Sequence, residues 1–160
     1  MNRLEGSLPK WLAVMEIGII ILSDNRLSGS LPLSLFQSQS LSVLELSRNN
    51  FSGQIPDTIG ETSAMTLMLS GNNFSGSVPK SITKIYRLLF LDLSKNKLSG
   101  EFPSFNHDSL LALLDISSNE FSGNVPASFG VSTLMLSMSQ NKFQRRIPSG
   151  LHKSPISDAS

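Results

Sequence analysis

The sequence predicts a stacked-repeat solenoid built on a parallel sheet of about six short strands. Three observations carry this: Asn recurs at a near-constant interval, Leu or Phe, Gly and Pro follow it at fixed offsets, and apolar pairs spaced by two precede it. The asparagines are Asn2, Asn25, Asn49, Asn72, Asn96, Asn119 and Asn141, at intervals of 23, 24, 23, 24, 23 and 22. Two residues after each stands Leu4, Leu27, Phe51, Phe74, Leu98, Phe121 or Phe143. Four after it stands Gly6, Gly29, Gly53, Gly76, Gly100 or Gly123, with Arg145 in the last unit, and seven after it a Pro, from Pro9 to Pro148. Seven of the eight prolines and six of the eleven glycines therefore keep the phase of the repeat. Chance does not hold four residue classes in register over seven units.

The strands come from the residues upstream of each Asn. The pairs are Ile20 and Leu22, Leu44 and Leu46, Leu67 and Leu69, Leu91 and Leu93, Leu114 and Ile116, Leu136 and Met138. Spacing by two puts both members on one face of a strand, here the inner face. One unit cannot bury that face alone, so neighbours stack, and six strands about 4.8 Å apart span roughly 24 Å. The Asn amide has the donors and acceptor to satisfy coil backbone that no ladder pairs. The following Leu or Phe fills the interior, at roughly 1.5–3 kcal/mol each. Gly permits a positive φ, and Pro stands where the chain leaves the core. Ser23, Ser47, Ser70, Ser94, Ser117 and Ser139, two before each Asn, are placed to bond neighbouring backbone.

The organisation expected is repeats over 1–151, a partial first repeat at 2–17 without a strand of its own, six strand-bearing repeats, and a disordered tail at 152–160 (HKSPISDAS begins there). Trp11–Leu22 is the longest apolar stretch, but it is shorter than the ~20 residues a membrane span needs and Glu16 interrupts it. The LEGSLP before it follows the repeat, which argues against a signal-peptide core. In the fourth complete repeat Asn106 stands where an apolar residue is wanted, and Phe105 substitutes by a one-residue shift. Gln144-Arg145 replaces Ser-Gly in the last unit and predicts an irregular turn.

The units LSDNRLSGSLPLSL, LSRNNFSGQIPDTI, LSGNNFSGSVPKSI and LSKNKLSGEFPSF resemble the plant-type extracellular leucine-rich repeat, LxLSxNxLSGxIP with a period near 24. The resemblance runs from Asn2 to about Leu151, and the SG-x-[ILV]-P element points to this subclass. It implies an α/β repeat solenoid: a right-handed leucine-rich-repeat coil with a concave parallel sheet of about six strands, an irregular or 3-10 convex side, a second short strand near SGxIP, and no helical domain. It also implies recognition at the cell surface without catalysis. Family ectodomains carry cysteine-paired caps, and this chain has no Cys, so the expectation is an internal or truncated segment of a longer parent.

The concave face is the expected binding surface, since alternate strand residues point outward. Six before each Asn stand Ile19, Val43, Thr66, Phe90, Leu113 and Met135; four before it stand Ile21, Glu45, Met68, Asp92, Asp115 and Ser137. The first row is almost wholly apolar and suggests a contact surface, unless another part of the parent covers it. Glu45, Asp92 and Asp115 could meet a basic ligand group, or be simply solvated. Asn50-Phe51-Ser52 and Asn73-Phe74-Ser75 are N-glycosylation sequons that the repeat itself tends to generate.

A net charge of +1, with 16% of residues charged, argues against nucleic acid and strongly electrostatic partners. The absence of Cys removes thiolate catalysis and Cys-based zinc sites. No phosphate loop, nucleophile elbow or metal-ligand spacing occurs, and His107 and His152 lie in a loop and the tail. No catalytic residue, cofactor or metal is expected. The resemblance implies as partners a protein or peptide ligand and a co-receptor, with neither nucleic acid nor membrane insertion by this segment. The setting it implies is the extracellular side of the plasma membrane, in signalling or defence, as part of a longer parent. The alternatives are an apoplastic inhibitor of a wall-degrading enzyme and a truncated remnant without activity.

Overall fold

The computed structural model describes residues 3–144. Asn2, Arg145 and the tail at 152–160 lie outside them. Among the described residues, the five coils from Ile19 to Phe121 each contribute to two parallel sheets, and the end units to one. The inner sheet comprises β2 (Ile19–Ile21), β4 (Val43–Glu45), β6 (Thr66–Met68), β8 (Phe90–Asp92), β10 (Leu113–Asp115) and β12 (Met135–Ser137), ordered by coil. The second comprises β1 (Glu5–Gly6), β3 (Arg26–Gly29), β5 (Asn50–Gln54), β7 (Asn73–Ser77), β9 (Lys97–Gly100) and β11 (Glu120–Phe121). The solenoid with its six-stranded inner sheet is the expected one. The short strand expected near SGxIP recurs from coil to coil and builds the second sheet, and the partial first repeat, expected to have no strand, supplies one as well, β1, paired with β3.

The inner sheet forms where periodicity places it. The inward pairs are buried from Leu44 to Met138, with Leu22 half-buried in the first coil. Behind them Phe51 and Phe74 stack with centroids 6.3 Å apart and planes within 7°, and Phe121 meets Phe102 edge-on at 5.4 Å. The apolar run at Trp11–Leu22 divides in two: a single helical turn, α1 (Trp11–Val14), with Leu12 packed against the core and Trp11 and Val14 exposed, and then β2.

The asparagine column joins the coils. The backbone N–H of Phe51 donates to Asn72 Oδ1, that of Phe74 to Asn96 Oδ1 and that of Leu98 to Asn119 Oδ1, each at 3.0 Å. In return each amide nitrogen donates to a carbonyl of its own coil and to one of the coil before: Asn72 Nδ2 reaches Leu69 O at 3.1 Å and Leu46 O at 3.0 Å. Asn25, Asn49 and Asn141 follow the same plan, except that Asn25 bonds only carbonyls of its own coil. A buried amide thus satisfies backbone that has no strand partner.

The residue before each ladder Asn is left-handed: Asp24, Arg48, Gly71, Lys95, Ser118 and Gln140 have φ between 56° and 67°. This is the turn that brings the Asn side chain back under its own coil. Only Gly71 adopts it without the Cβ clash that L-residues meet there.

On the return path, 3-10 turns fill the first complete coils: η1 (Leu33–Gln37), η2 (Asp57–Glu61) and η3 (Lys80–Lys84). Gly60 lets η2 and η3 close up, since a Cβ there would lie 2.6 Å from Ser81 Cβ. The next coil has no such turn, because Phe105 takes the buried position and leaves Asn106 exposed, as the one-residue shift anticipated. A cleft of about 450 Å³ opens at the break, between Pro79, Lys80 and Thr83 on one wall and Glu101, Phe102 and Pro103 on the other.

Candidate binding face

Pairing in the inner sheet locks the outward rows into register. Ile19 pairs Val43, Val43 pairs Thr66, Thr66 pairs Phe90, Phe90 pairs Leu113 and Leu113 pairs Met135. The second row runs Ile21, Glu45, Met68, Asp92, Asp115, Ser137 in the same way. None of the twelve is fully buried. Ile19, Ile21 and Met135 keep more than half their surface exposed, at 61%, 63% and 54%, and Phe90 keeps 39%. Val43, Thr66 and Leu113 are half-covered by neighbours one strand spacing away. The row is therefore accessible along its length and apolar at every position except Thr66.

The acidic members of the second row have a structural task that sequence reasoning missed. Glu45 Oε1 accepts the Ser47 N–H at 2.8 Å. Asp92 Oδ1 accepts both the Ser94 N–H at 3.0 Å and the Ser94 hydroxyl at 2.6 Å, and Asp115 repeats this with Ser117. These carboxylates clamp the end of their strand, a role beyond the ligand contact and the solvated charge that the sequence suggested. The serine expectation changes with it: the Ser94 and Ser117 hydroxyls donate to carboxylates rather than to backbone. The readable signal was Glu or Asp two residues before the serine, in Glu45-Leu46-Ser47, Asp92-Leu93-Ser94 and Asp115-Ile116-Ser117.

Burial pushes the Asp92 carboxyl above its ordinary range; the Ser94 bonds oppose this, and the nearby Asp115 and Glu45 charges add to it. The Arg48 guanidinium forks onto Asp24 at the edge of the face, Nε to Oδ1 at 2.6 Å and Nη2 to Oδ2 at 2.9 Å, and its hydrogen bond holds Asp24 below the usual value.

The sequon residues lie on the second sheet, off this face. Asn50 is exposed, Asn73 is half-buried, and Asn73 Nδ2 donates to Asn50 Oδ1. His107 is exposed in a turn. Among the described residues no group of three or more His, Cys, Asp or Glu could hold a metal ion. No helix among them is long and apolar enough to cross a membrane.

Residues 40–61, 63–85, 87–107 and 110–131 match the family profile described as Leucine Rich Repeat. Comparison with curated proteins finds no match. Among solved structures, the chain is similar to the Arabidopsis receptor kinase HAESA, solved in complex with the peptide hormone IDA and the co-receptor SERK1. The two share 34% identity with a TM-score of 0.87, over 98% of this chain and 27% of that one. It is also similar to a plant ice-binding protein, at 30% identity and TM-score 0.86, over 96% of this chain and 51% of that one. The leucine-rich-repeat ectodomain of the receptor kinase SOBIR1 from Arabidopsis thaliana matches at 29% identity and TM-score 0.65, over 75% of this chain and 70% of that one. The chain thus spans 27% of the HAESA chain and about half of the ice-binding protein.

Proposed function

The chain belongs to the plant extracellular leucine-rich-repeat family, and we propose that it serves as a non-catalytic recognition scaffold in a receptor-like ectodomain at the plant cell surface. It takes a protein or peptide ligand, with a co-receptor, on the concave inner sheet. The observation that carries the reading is the register-locked apolar line from Ile19 to Met135, accessible along six strands. An exposed apolar row of that length is characteristic of contact surfaces. The Arabidopsis receptor kinase HAESA, with its peptide hormone and co-receptor, supports the same use of the coil. The plant ice-binding protein has this coil too, so ligand class is argued from the face and not from the fold.

The face favours an extended peptide with apolar residues at alternate positions. A displayed random-peptide library selected against the chain should enrich such sequences. Phe90→Ser should weaken the selected binders by about tenfold, or ~1.4 kcal/mol, with the circular dichroism spectrum unchanged. Absence of enrichment, or full affinity in Phe90→Ser, refutes the assignment.

A further inference from the structure

We propose that Asn50 is the N-glycosylated residue of this chain and that Asn73, which carries the same acceptor sequence, is kept largely unmodified by its contact with Asn50. This rests on the extracellular placement proposed above. The two acceptor segments are identical over five residues: Asn49-Asn50-Phe51-Ser52-Gly53 and Asn72-Asn73-Phe74-Ser75-Gly76. Anything that reads local sequence reads them alike, so a difference in occupancy reports the surroundings.

Those surroundings differ in three ways. Asn50 is exposed and Asn73 is half-buried. Ser52, the acceptor hydroxyl residue for Asn50, is exposed, while Ser75 is half-buried. The two amides also play opposite parts in one hydrogen bond, with Asn73 Nδ2 the donor and Asn50 Oδ1 the acceptor. Glycosylation takes place at Nδ2. There the amide nitrogen displaces the pyrophosphate from the anomeric carbon of a polyprenyl-pyrophosphate-linked oligosaccharide. An N–C bond forms, the sugar C–O bond breaks, and polyprenyl pyrophosphate and a proton leave. At Asn50 the nitrogen so used is not the atom in the contact, and Oδ1 goes on accepting. At Asn73 the sugar replaces one of the two hydrogens on the donor itself, at a half-buried site rather than an exposed one.

Transfer begins on extended chain, so the contact acts on what folds and is secreted. A chain modified at Asn50 closes into the observed coil unchanged. One modified at Asn73 keeps a single N–H for the amide pair and must seat the sugar beside it, and a hydrogen bond of ordinary net strength, about 1 kcal/mol, corresponds to roughly a fivefold population ratio.

The test is glycopeptide mass spectrometry on the full chain secreted from a plant cell line behind a cleavable leader. Occupancy at Asn50 is expected to exceed that at Asn73 by roughly fivefold. Asn50→Ala, which removes the acceptor of the Asn73 donor, should raise occupancy at Asn73 several-fold. Equal occupancy, preference for Asn73, no glycan at either site, or an Asn73 occupancy unmoved by Asn50→Ala overturns the proposal. If the variant is not secreted, the wild-type ratio still decides. Peptide binding by the concave face is measured separately through Phe90→Ser, so either proposal can fail without the other.

Discussion

Replacing Asn72 by Ala tests how the coils are held together. The side chain is buried and makes four hydrogen bonds: Oδ1 from the Phe51 N–H, and Nδ2 to the carbonyls of Leu46, Leu69 and Ser70. The losses are unequal. Leu46 O keeps Asn49 Nδ2, Leu69 O keeps Asn96 Nδ2, and Ser70 O keeps the Arg48 N–H. The Phe51 N–H is left with no acceptor, at about 1–3 kcal/mol for an unsatisfied buried group. With roughly 0.5–1.5 kcal/mol for the bonds that are merely thinned, the expected loss is about 2–4 kcal/mol. Asn25→Ala is the internal control. Its Oδ1 serves the exposed Leu4 N–H, which water can satisfy, and Leu22 O keeps Asn49, so about 1 kcal/mol or less is expected. Asn72→Asp separates the two halves of the amide: it keeps the acceptor but sets a carboxylate against carbonyl oxygens, so it should be at least as damaging near pH 7 and partly relieved by acid. Urea unfolding followed by far-ultraviolet circular dichroism measures all three. A loss under about 0.5 kcal/mol for Asn72→Ala, or one equal to that of Asn25→Ala, would refute the ladder as the source of coil cohesion.

Two further outcomes are open to direct measurement. Gly71→Ala should cost about 1 kcal/mol, lowering the melting midpoint by roughly 2–4 °C, and Gly71→Asn less. The φ of 67° is strained for Ala, and its Cβ would lie 3.2 Å from Arg48 Cγ; equal stability of Gly71→Ala and wild type would contradict this. The raised Asp92 carboxyl makes a contribution to stability that is present in full below its unfolded value and lost as pH rises through its folded value. Asp92→Asn keeps an acceptor for the Ser94 N–H, so it should be no less stable than wild type near pH 7 and should show a smaller gain on acidification. An unchanged pH profile would show that the burial of Asp92 has no energetic weight.

How much of this was readable follows from what each feature constrains. Rows such as Leu91 and Leu93 inward, Phe90 and Asp92 outward, were legible because burial selects residue type at every second position. The ladder was legible because a single side chain, Asn, fits its demand for donors and an acceptor together. The left-handed column was not, since Asp24, Arg48, Gly71, Lys95, Ser118 and Gln140 share a backbone torsion and no chemistry. The carboxylate clamps at Asp92 and Asp115 were in view as an acid two residues before a serine, but the outward position of the acid pointed to solvent or a ligand instead of the neighbouring hydroxyl. The contact between Asn50 and Asn73 lay beyond the sequence, because it joins residues 23 apart through the stacking of coils.

The shared carbonyls of the ladder also determine which changes of chain length the fold accepts. Leu22 O, Leu46 O, Leu69 O, Leu93 O and Ile116 O each receive an amide from the coil that owns them and another from the coil above. Every coil therefore offers its neighbour the same socket. Removal of residues 49–71 would present Asn72 to Leu22 O and the Leu27 N–H, the atoms that Asn49 now serves. Excision of a few residues would leave the plug and socket out of phase. Length in such a protein is quantised to whole coils, within the one or two residues by which its own intervals already differ.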